Sequence, residues 1–461
     1  MLPDDAMAGD PRSAAPAAGS LMTDRQMHGA ASPPSRPHSI SGAPPWAALL
    51  TGLVLRLAWG AVVPGTPLRG DEETYVALAR SLAAGHGYVA FGVPFTHYLP
   101  GWPLTLAVPL VLGFDLTGAR VMQCLISTTV CFWAFLLGSR LVSRRVGVTA
   151  AWVGAFFPPL IWFSHLLTSE TVSAALVGGW AVLGAKYVGD GGGWQRASGL
   201  AVLGALLPLF RAELVVVAPL PFLVRALEAA PRRELVRAAG ACLAVAVALL
   251  PWWLYNERRF GEFIPLSTAG GVGLWIASHD PPLTDFDTPE FLAAATRLTI
   301  PGRPKNTDAA YAAEARDRIR QDPILYLSGR LLNLPRFWLG SHSETVPGAE
   351  PPLRIALKQG RYWAVAVKMT GFASQALLVA AALVGAVISF RRGVPLLLCL
   401  TVAMKFAAHA PFVQTPRFSL HLAPVLFAYA AAAAAFGVDR ARRGKGPTPV
   451  TGTQGAALSN R

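Results

Sequence analysis

The sequence predicts an all-α integral membrane protein, and three observations predict it. Of 461 residues, 53% are apolar and only 14% charged, and the mean hydropathy is positive; soluble chains carry about 25% charged residues. The apolar residues fall in runs near the roughly 20 residues that a spanning helix needs. Arginines punctuate those runs in short clusters, so the formal charge of +14 forms no continuous basic face of the kind that binds nucleic acid.

Cys124, Cys131, Cys242 and Cys399 all lie inside apolar stretches and read as packing residues rather than a disulfide framework. Residues 1–44 are rich in Pro, Ala, Ser and Gly and lack a signal-peptide pattern. They read as a disordered cytoplasmic tail, with Met22 and Met27 as alternative starts.

With the excess of Lys and Arg placed inside, the chain gives about ten spans and cytoplasmic termini. The first span, 46–64, runs outward. Leu99 to Phe114 is short and broken by Pro100, Gly101, Pro103 and Pro109, and reads as interfacial or re-entrant. Counting it as a span would invert everything downstream, including Arg140, Arg144 and Arg145. Spans at 119–141, 146–163 and 171–188 follow. The pieces 197–210 and 214–224, separated by Arg211 and Glu213, must each cross, or the basic loop of Arg225, Arg232, Arg233 and Arg237 would be exported. The span 238–255 ends outside at Trp252, Trp253 and Tyr255. Residues 45–255 thus form a transmembrane module with catalytic outer loops.

Residues 256–362 read as an extracytoplasmic segment. It holds a Gly-rich turn region (Ser267 to Trp275), a helix from about Thr307 that stops before Pro323, and an amphipathic stretch, Ile324 to Trp338, expected on the outer leaflet. The C-terminal part, 363–437, supplies spans at 364–389, 394–410 and 417–437, and a disordered basic tail, 438–461, follows.

The chemistry is expected where the first span leaves the bilayer. Arg69 to Arg80 reads RGDEETYVALAR: two adjacent acids, Asp71 and Glu72, and then Tyr75, Leu78, Ala79 and Leu82 at helical spacing. The acids are expected to cap an amphipathic helix. Under this topology Glu170, Arg211 and Glu213 collect near the same outer face. So do Lys405 with His409 and Arg417 with His421, each pair four residues apart. Ionisable groups in a bilayer cost several kcal/mol, so their default reading is functional.

Carboxylates facing cations suit attack of an acceptor hydroxyl on a sugar activated by a lipid phosphate. A carboxylate takes the hydroxyl proton, and Lys and Arg neutralise the departing phosphate. Arg417, Lys405, Arg211, His409 and His421 are the candidates for that phosphate, and Tyr75, His97 and Tyr98 for positioning substrate. Plainer readings stand beside these: helix caps at Asp71 and Glu170, an Arg211–Glu213 structural pair, and snorkelling by Lys405 and Arg417. His279, Asp280, Asp285 and Asp287 have metal-ligand residue types, but the prolines between them suggest a mobile loop. No metal site is assigned, and the sequence does not indicate a divalent cofactor. A lipid-linked glycan transporter or flippase would share the helices and the intramembrane charges.

The run GDEETYVALARSLAAGHGY (Gly70 to Tyr88) resembles the first outer loop of GT-C glycosyltransferases, the group of protein O-mannosyltransferases and lipid A aminoarabinose transferases. HYLPGWPLTLA, SETVSAAL, FRAEL, NERRFGEFIPLSTAGGVGLWIAS and PRFSLHLAP resemble its bacterial members in the same order, so the similarity spans about 46–437. The resemblance implies a GT-C fold and an inverting transferase using a polyprenyl-phosphate sugar donor on the outer face of a bacterial plasma membrane. The acceptor would be an envelope glycan, a lipid or a protein. It further implies Asp71 as catalytic base, Glu72 as its acidic neighbour, Glu170 as a second acidic position, and Arg417 as the arginine near the donor phosphate. Leu99 stands where many relatives carry a basic residue, and His97 is the nearest substitute.

Overall fold

A bilayer offers backbone N–H and C=O groups no partner but each other, so apolar runs must close their hydrogen bonds internally and become helices. The computed structural model describes residues 43–63, 67–279, 288–390 and 393–444. The expected tail 1–44, except for its last two residues, and most of the tail 438–461 lie outside the described residues, as do Asp280, Asp285 and Asp287.

The chain opens with α1 (Trp46–Val62), α2 (Asp71–Ala83), a small hairpin of β1 (Val89–Ala90) and β2 (Val93–Pro94), and α3 (Gly101–Val111). α3 is 11 residues long, about 16 Å, too short to span, as the prolines in this stretch lead one to expect. α4 (Leu116–Leu141), α5 (Arg144–Phe156), α6 (Pro158–Phe163), α7 (Glu170–Asp190) and α8 (Trp194–Phe210) follow. The span expected at 146–163 is two helices. Pro158 disfavours helical backbone at the residue before it, and Phe157 sits at φ −70°, ψ 108°.

The piece expected to cross at 214–224 is a 3-10 turn, Ala212–Val217, and then α9 (Leu220–Ala226). α9 packs between α7, α10 (Pro231–Phe260) and α18 (Val394–His409). The outer segment carries α11 (Gly270–Ala277), α12 (Pro289–Leu298), α13 (Pro304–Gln321), α14 (Pro323–Asn333), α15 (Pro335–Trp338) and α16 (Leu353–Lys358). Pro335 divides the stretch read as one amphipathic helix into α14 and α15. α14 still shows the expected sidedness: Ile324, Leu325, Leu327, Leu331 and Leu332 are exposed, while Arg330 turns inward to the Phe412 carbonyl at 3.0 Å. The chain ends with α17 (Tyr362–Ser389), α18, a 3-10 turn (Pro416–Leu422) and α19 (Ala423–Gly444).

Among the described residues five elements are long and apolar enough to cross a membrane: α4, α7, α10, α17, and the 3-10 turn with α19. The protein is a multi-pass membrane protein. Its core lies where α19 packs on α4, α5, α7 and α17, around Trp180, Tyr187, Phe427 and Tyr429. α17 and α19 touch backbone to backbone at Gly385, where an added Cβ would stand 1.8 Å from the Tyr429 carbonyl oxygen. One buried cation escaped the sequence reading. Arg56, in α1, donates to Ser127 Oγ (2.7 Å) and to the carbonyls of Gly52 (2.8 Å) and Gly154 (3.2 Å), tying α1 to α4 and α5. None of the four cysteines is paired.

Candidate active site

α2 begins at Asp71, and its N-cap is Gly70, whose φ of 54° suits a residue without Cβ. Neither acid caps the helix with its side chain, which frees both for other contacts. They part company. Asp71 Oδ1 accepts from Tyr98 Oη at 2.6 Å, and Oδ2 pairs with Arg417 at 2.8 Å. Glu72, 2% exposed, accepts from the Leu167 backbone N–H at 3.0 Å and lies 3.7 Å from Arg120. Asp71 therefore faces the cations expected at the phosphate, while Glu72 fastens α2 to the loop that precedes α7.

Burial alone would raise the Asp71 carboxyl. The Arg417 guanidinium, the Tyr98 hydroxyl and Arg211 outweigh it and hold the group below the ordinary aspartate value. Burial wins at Glu72, whose carboxyl is raised despite the Leu167 N–H and Arg120. Two carboxylates adjacent in sequence thus sit in opposite electrostatic settings.

Beyond Asp71 the charges alternate. Arg417 Nε is 3.8 Å from Glu170 Oε1, and Arg211 Nη2 is 2.5 Å from the same oxygen. Lys405 Nζ is 2.5 Å from Glu213 and 2.8 Å from His409 Nε2, which is itself 3.3 Å from Glu213. Arg211 and Glu213 do not pair with each other, contrary to the simple structural alternative. Two residues apart, they point to different neighbours. Three acids, Asp71, Glu170 and Glu213, meet three strong cations, Arg211, Lys405 and Arg417.

The remaining candidates lie around this cluster. Tyr75 is buried and stacks on Tyr98 with ring centroids 4.5 Å apart, its hydroxyl 3.3 Å from Ser169 Oγ. His97 packs edge-on against Tyr98 at 5.2 Å, and burial lowers its pKa, which favours the neutral ring. His409 stacks on Phe418, the neighbour of Arg417, at 4.4 Å. His421 is fully buried, and neither ring nitrogen has a hydrogen-bond partner among the described residues; the same holds for Glu170 Oε2 and Arg211 Nε. Buried polar atoms of this kind usually meet water or a ligand. Among the described residues no group of three or more His, Cys, Asp or Glu could hold a metal ion.

The site is polar and partly open: the Arg417 and Asp71 side chains keep 33% and 31% exposure. Beside it, between α17, α18 and α19, runs an apolar crevice of about 410 Å³ lined by Trp338, Leu383, Val402, Phe406 and Tyr429. One acid near the site carried no sequence signal. Glu344, in a 3-10 turn (Ser343–Thr345), stands within electrostatic reach of Arg417, Lys368 and Glu170.

No family model and no curated protein matches the sequence. Solved structures do. The Archaeoglobus fulgidus oligosaccharyltransferase in complex with Zn and sulfate is 16% identical, with a TM-score of 0.53 over 87% of this chain and 50% of that one. Its apo form gives a TM-score of 0.50, 16% identity, and coverage of 87% and 51%. ArnT from Cupriavidus metallidurans bound to undecaprenyl phosphate is 17% identical over 88% of this chain and 82% of that one, with a TM-score of 0.41. The chain spans about half the length of the oligosaccharyltransferase structures. At these identities the likeness is one of fold, and the fold is the GT-C type expected from the sequence.

Proposed function

We propose that the protein is a membrane glycosyltransferase that moves a sugar from a polyprenyl-phosphate donor to a hydroxyl of an envelope glycan, lipid or protein, on the outer face of the plasma membrane. One observation carries the reading: Asp71, on the first outer helix, and Arg417, more than 300 residues later, meet at 2.8 Å with both side chains about a third exposed. A transporter reading asks for charges along a path open to both faces; here acids and cations converge in one cluster.

In this reading Asp71 accepts the acceptor's hydroxyl proton as the oxygen attacks the anomeric carbon. The bond from that carbon to the phosphate oxygen breaks on the opposite side, which inverts the configuration. The phosphate leaves as an anion and needs no general acid. Arg417 meets the charge that develops on it, with Arg211 and Lys405 behind. Tyr98 aims the Asp71 carboxylate, and Glu170 holds Arg211 and Arg417 together. Glu72 is an anchor of α2 rather than a second base. The crevice beside α18 suits the donor's prenyl chain.

The test is a transfer assay: purified protein with a panel of polyprenyl-phosphate sugars, wild type beside Asp71→Asn, scored for loss of lipid-linked sugar. Consumption by wild type alone is the expected result. No consumption of any donor, together with movement of lipid-linked sugar across liposome membranes, would replace this reading with the transporter.

A further inference from the structure

The turn of the β1–β2 hairpin has an unusual occupant. Register pairs Val89 with Pro94 and Ala90 with Val93, so Phe91 and Gly92 form a two-residue turn, and both have positive φ, 52° and 80°. Asn–Gly and Asp–Gly adopt such turns by preference. A bulky side chain at this φ is an outlier, and outliers of this kind point to function. Packing within the chain is not the reason, because Phe91 is 64% exposed and Val93 57%. Between Arg80 and Asp115 there is no Asp, Glu, Lys or Arg. An uncharged, apolar tip of this kind suits lipid.

The base of the hairpin is fixed to α10. Tyr88 is buried edge-on to Trp252 at 5.5 Å and to Tyr255 at 6.0 Å. Its carbonyl accepts from Tyr255 Oη at 2.9 Å and from the Phe95 N–H at 3.2 Å, and its hydroxyl donates to the Tyr98 carbonyl at 3.0 Å. Tyr255 marks a boundary on α10. Before it the helix exposes Leu243, Val247, Leu250 and Leu254, as a helix in lipid does; after it come Asn256, Glu257, Arg258 and Arg259. The hairpin therefore stands where α10 passes from hydrocarbon to headgroups, with Phe91 three residues, about 10 Å, along the strand from Tyr88.

Tyr255 also lines a groove of about 460 Å³ with Pro251, Leu254, Arg258 and Arg259. Both arginines are exposed and form no ion pair among the described residues. A helix C-terminus favours cations near its last carbonyls, but here other groups take that role: the Gly261 N–H reaches the Glu257 carbonyl at 2.9 Å and Arg303 the Phe260 carbonyl at 3.4 Å. The Glu257 side chain lies about 200° round the helix from Tyr255, away from the groove. In the topology read from the sequence this end of α10 is the outer one, where chain orientation asks for no basic residues. Two cations without acids, beside an apolar wall, fit a phosphate that carries acyl chains.

We infer that the Val89–Pro94 hairpin and the Arg258–Arg259 groove together bind an anionic phospholipid of the leaflet nearest Asp71, its phosphate on the two arginines and its chains against Leu254 and Phe91. One acyl chain spans half the hydrocarbon core, about 15 Å, enough to reach from the groove to the hairpin tip. Tyr88 connects this lipid to the base, since Tyr98, which receives its hydrogen bond, donates to Asp71 at 2.6 Å. A lipid bound there needs only the membrane-spanning fold, whatever reaction Asp71 carries out.

The test titrates the full chain in detergent with phosphatidylglycerol and, separately, phosphatidylcholine, counts retained lipid by native mass spectrometry, records the thermal midpoint, and adds inorganic phosphate as competitor. Wild type should retain phosphatidylglycerol in preference to phosphatidylcholine. Each basic residue near an anionic lipid contributes about a factor of five, so Arg258→Gln with Arg259→Gln should weaken phosphatidylglycerol binding about 10- to 30-fold and leave phosphatidylcholine unchanged. Phe91→Asn puts a favoured residue in the turn, so its lipid-free midpoint should equal or exceed that of wild type, while both lipids bind about fivefold more weakly. Equal retention of the two lipids by wild type, or unchanged phosphatidylglycerol binding in the double variant, overturns the proposal. So does a lower midpoint with unchanged lipid binding in Phe91→Asn, which would make Phe91 a packing residue. Displacement of the lipid by inorganic phosphate alone would make the groove a free-anion site and overturn it as well.

Discussion

Replacing Asp71 with Asn changes the two properties of the site that matter, charge and proton affinity, while leaving volume almost untouched. The native carboxylate accepts from Tyr98 at 2.6 Å through one oxygen and from Arg417 at 2.8 Å through the other. An amide keeps one of these contacts and cannot take a proton. A positioned general base contributes about 10²- to 10⁴-fold, which at about 1.4 kcal/mol per decade is roughly 3–5.5 kcal/mol of barrier. The structural cost is far smaller. The pair is about a third exposed, and ion pairs open to solvent contribute about 0–1 kcal/mol. Transfer by Asp71→Asn should therefore fall at least about 100-fold in kcat/KM, with the thermal midpoint in detergent within about 4 °C of wild type. Turnover within about tenfold of wild type, in a protein of unchanged midpoint and donor binding, would refute Asp71 as the base.

Four further outcomes follow from the same geometry. Asp71 has its carboxyl held below the ordinary value, so it is ionised in the folded protein at every pH above that value. Its contribution to stability is present above the unfolded pKa of about 3.8 and is lost as pH falls through the folded one; accordingly, kcat/KM should show no loss attributable to this group between about pH 7 and pH 5, checked by a pH–rate profile. Arg417→Lys keeps the charge but loses the planar fork that reaches both Asp71 and Glu170, and should weaken binding of a polyprenyl phosphate about tenfold in a titration. Glu72→Gln leaves the Leu167 N–H an acceptor and removes a charge that burial disfavours; stability at pH 7 within about 1 kcal/mol of wild type with kcat largely retained is expected, and a kcat loss as large as that of Asp71→Asn would make Glu72 a base. Lys405→Met strands Glu213 without its lysine, a change that for buried pairs costs about 3–5 kcal/mol. Adding Glu213→Gln should recover part of that in a thermal-shift series.

The fold was legible to the extent that bilayer physics writes it into composition. α1, α7, α17 and α18 lie within a few residues of the apolar runs that announced them. The misreadings fall at prolines. Pro158 splits the span read at 146–163, and Pro335 splits the amphipathic stretch at 324–338, because a hydropathy pattern averages over a break that one ring imposes. The site was legible as a set of residues and illegible as a set of pairs. Asp71, Glu170, Arg211, Glu213, Lys405 and Arg417 were all singled out, but that Glu170 takes Arg211 and Glu213 takes Lys405 depends on how α7, the turn after α8, and α18 pack. Glu72 sits next to Asp71 in the chain, and successive side chains on a helix are about 100° apart, so their different roles emerge only once α2 is seated on the loop before α7. Glu344 left no trace. It lies in a Ser- and Pro-containing loop, outside any apolar run, and only the contact of Gly340 with Pro416 places it near the arginine.

The pairing of Arg211, Lys405 and Arg417 with Glu170, Glu213 and Asp71 bears on the proposed turnover. Arg211, Lys405 and Arg417 each pair with a carboxylate of the chain, so a phosphate entering the cluster must compete for a guanidinium rather than fill an open slot. In the proposed transfer, the chemical step changes who holds the negative charge. When Asp71 takes the acceptor's proton it becomes neutral at the moment the phosphate gains a charge, and Arg417, 2.8 Å from Asp71 beforehand, is released to the product anion. The arginine acts as a balance arm whose load shifts from one side to the other while the total stays constant. Resetting it requires that Asp71 lose its proton and regain Arg417, whose guanidinium is the main cause that holds the carboxyl below the ordinary aspartate value. In that reading the Asp71–Arg417 contact ties product release to deprotonation of Asp71.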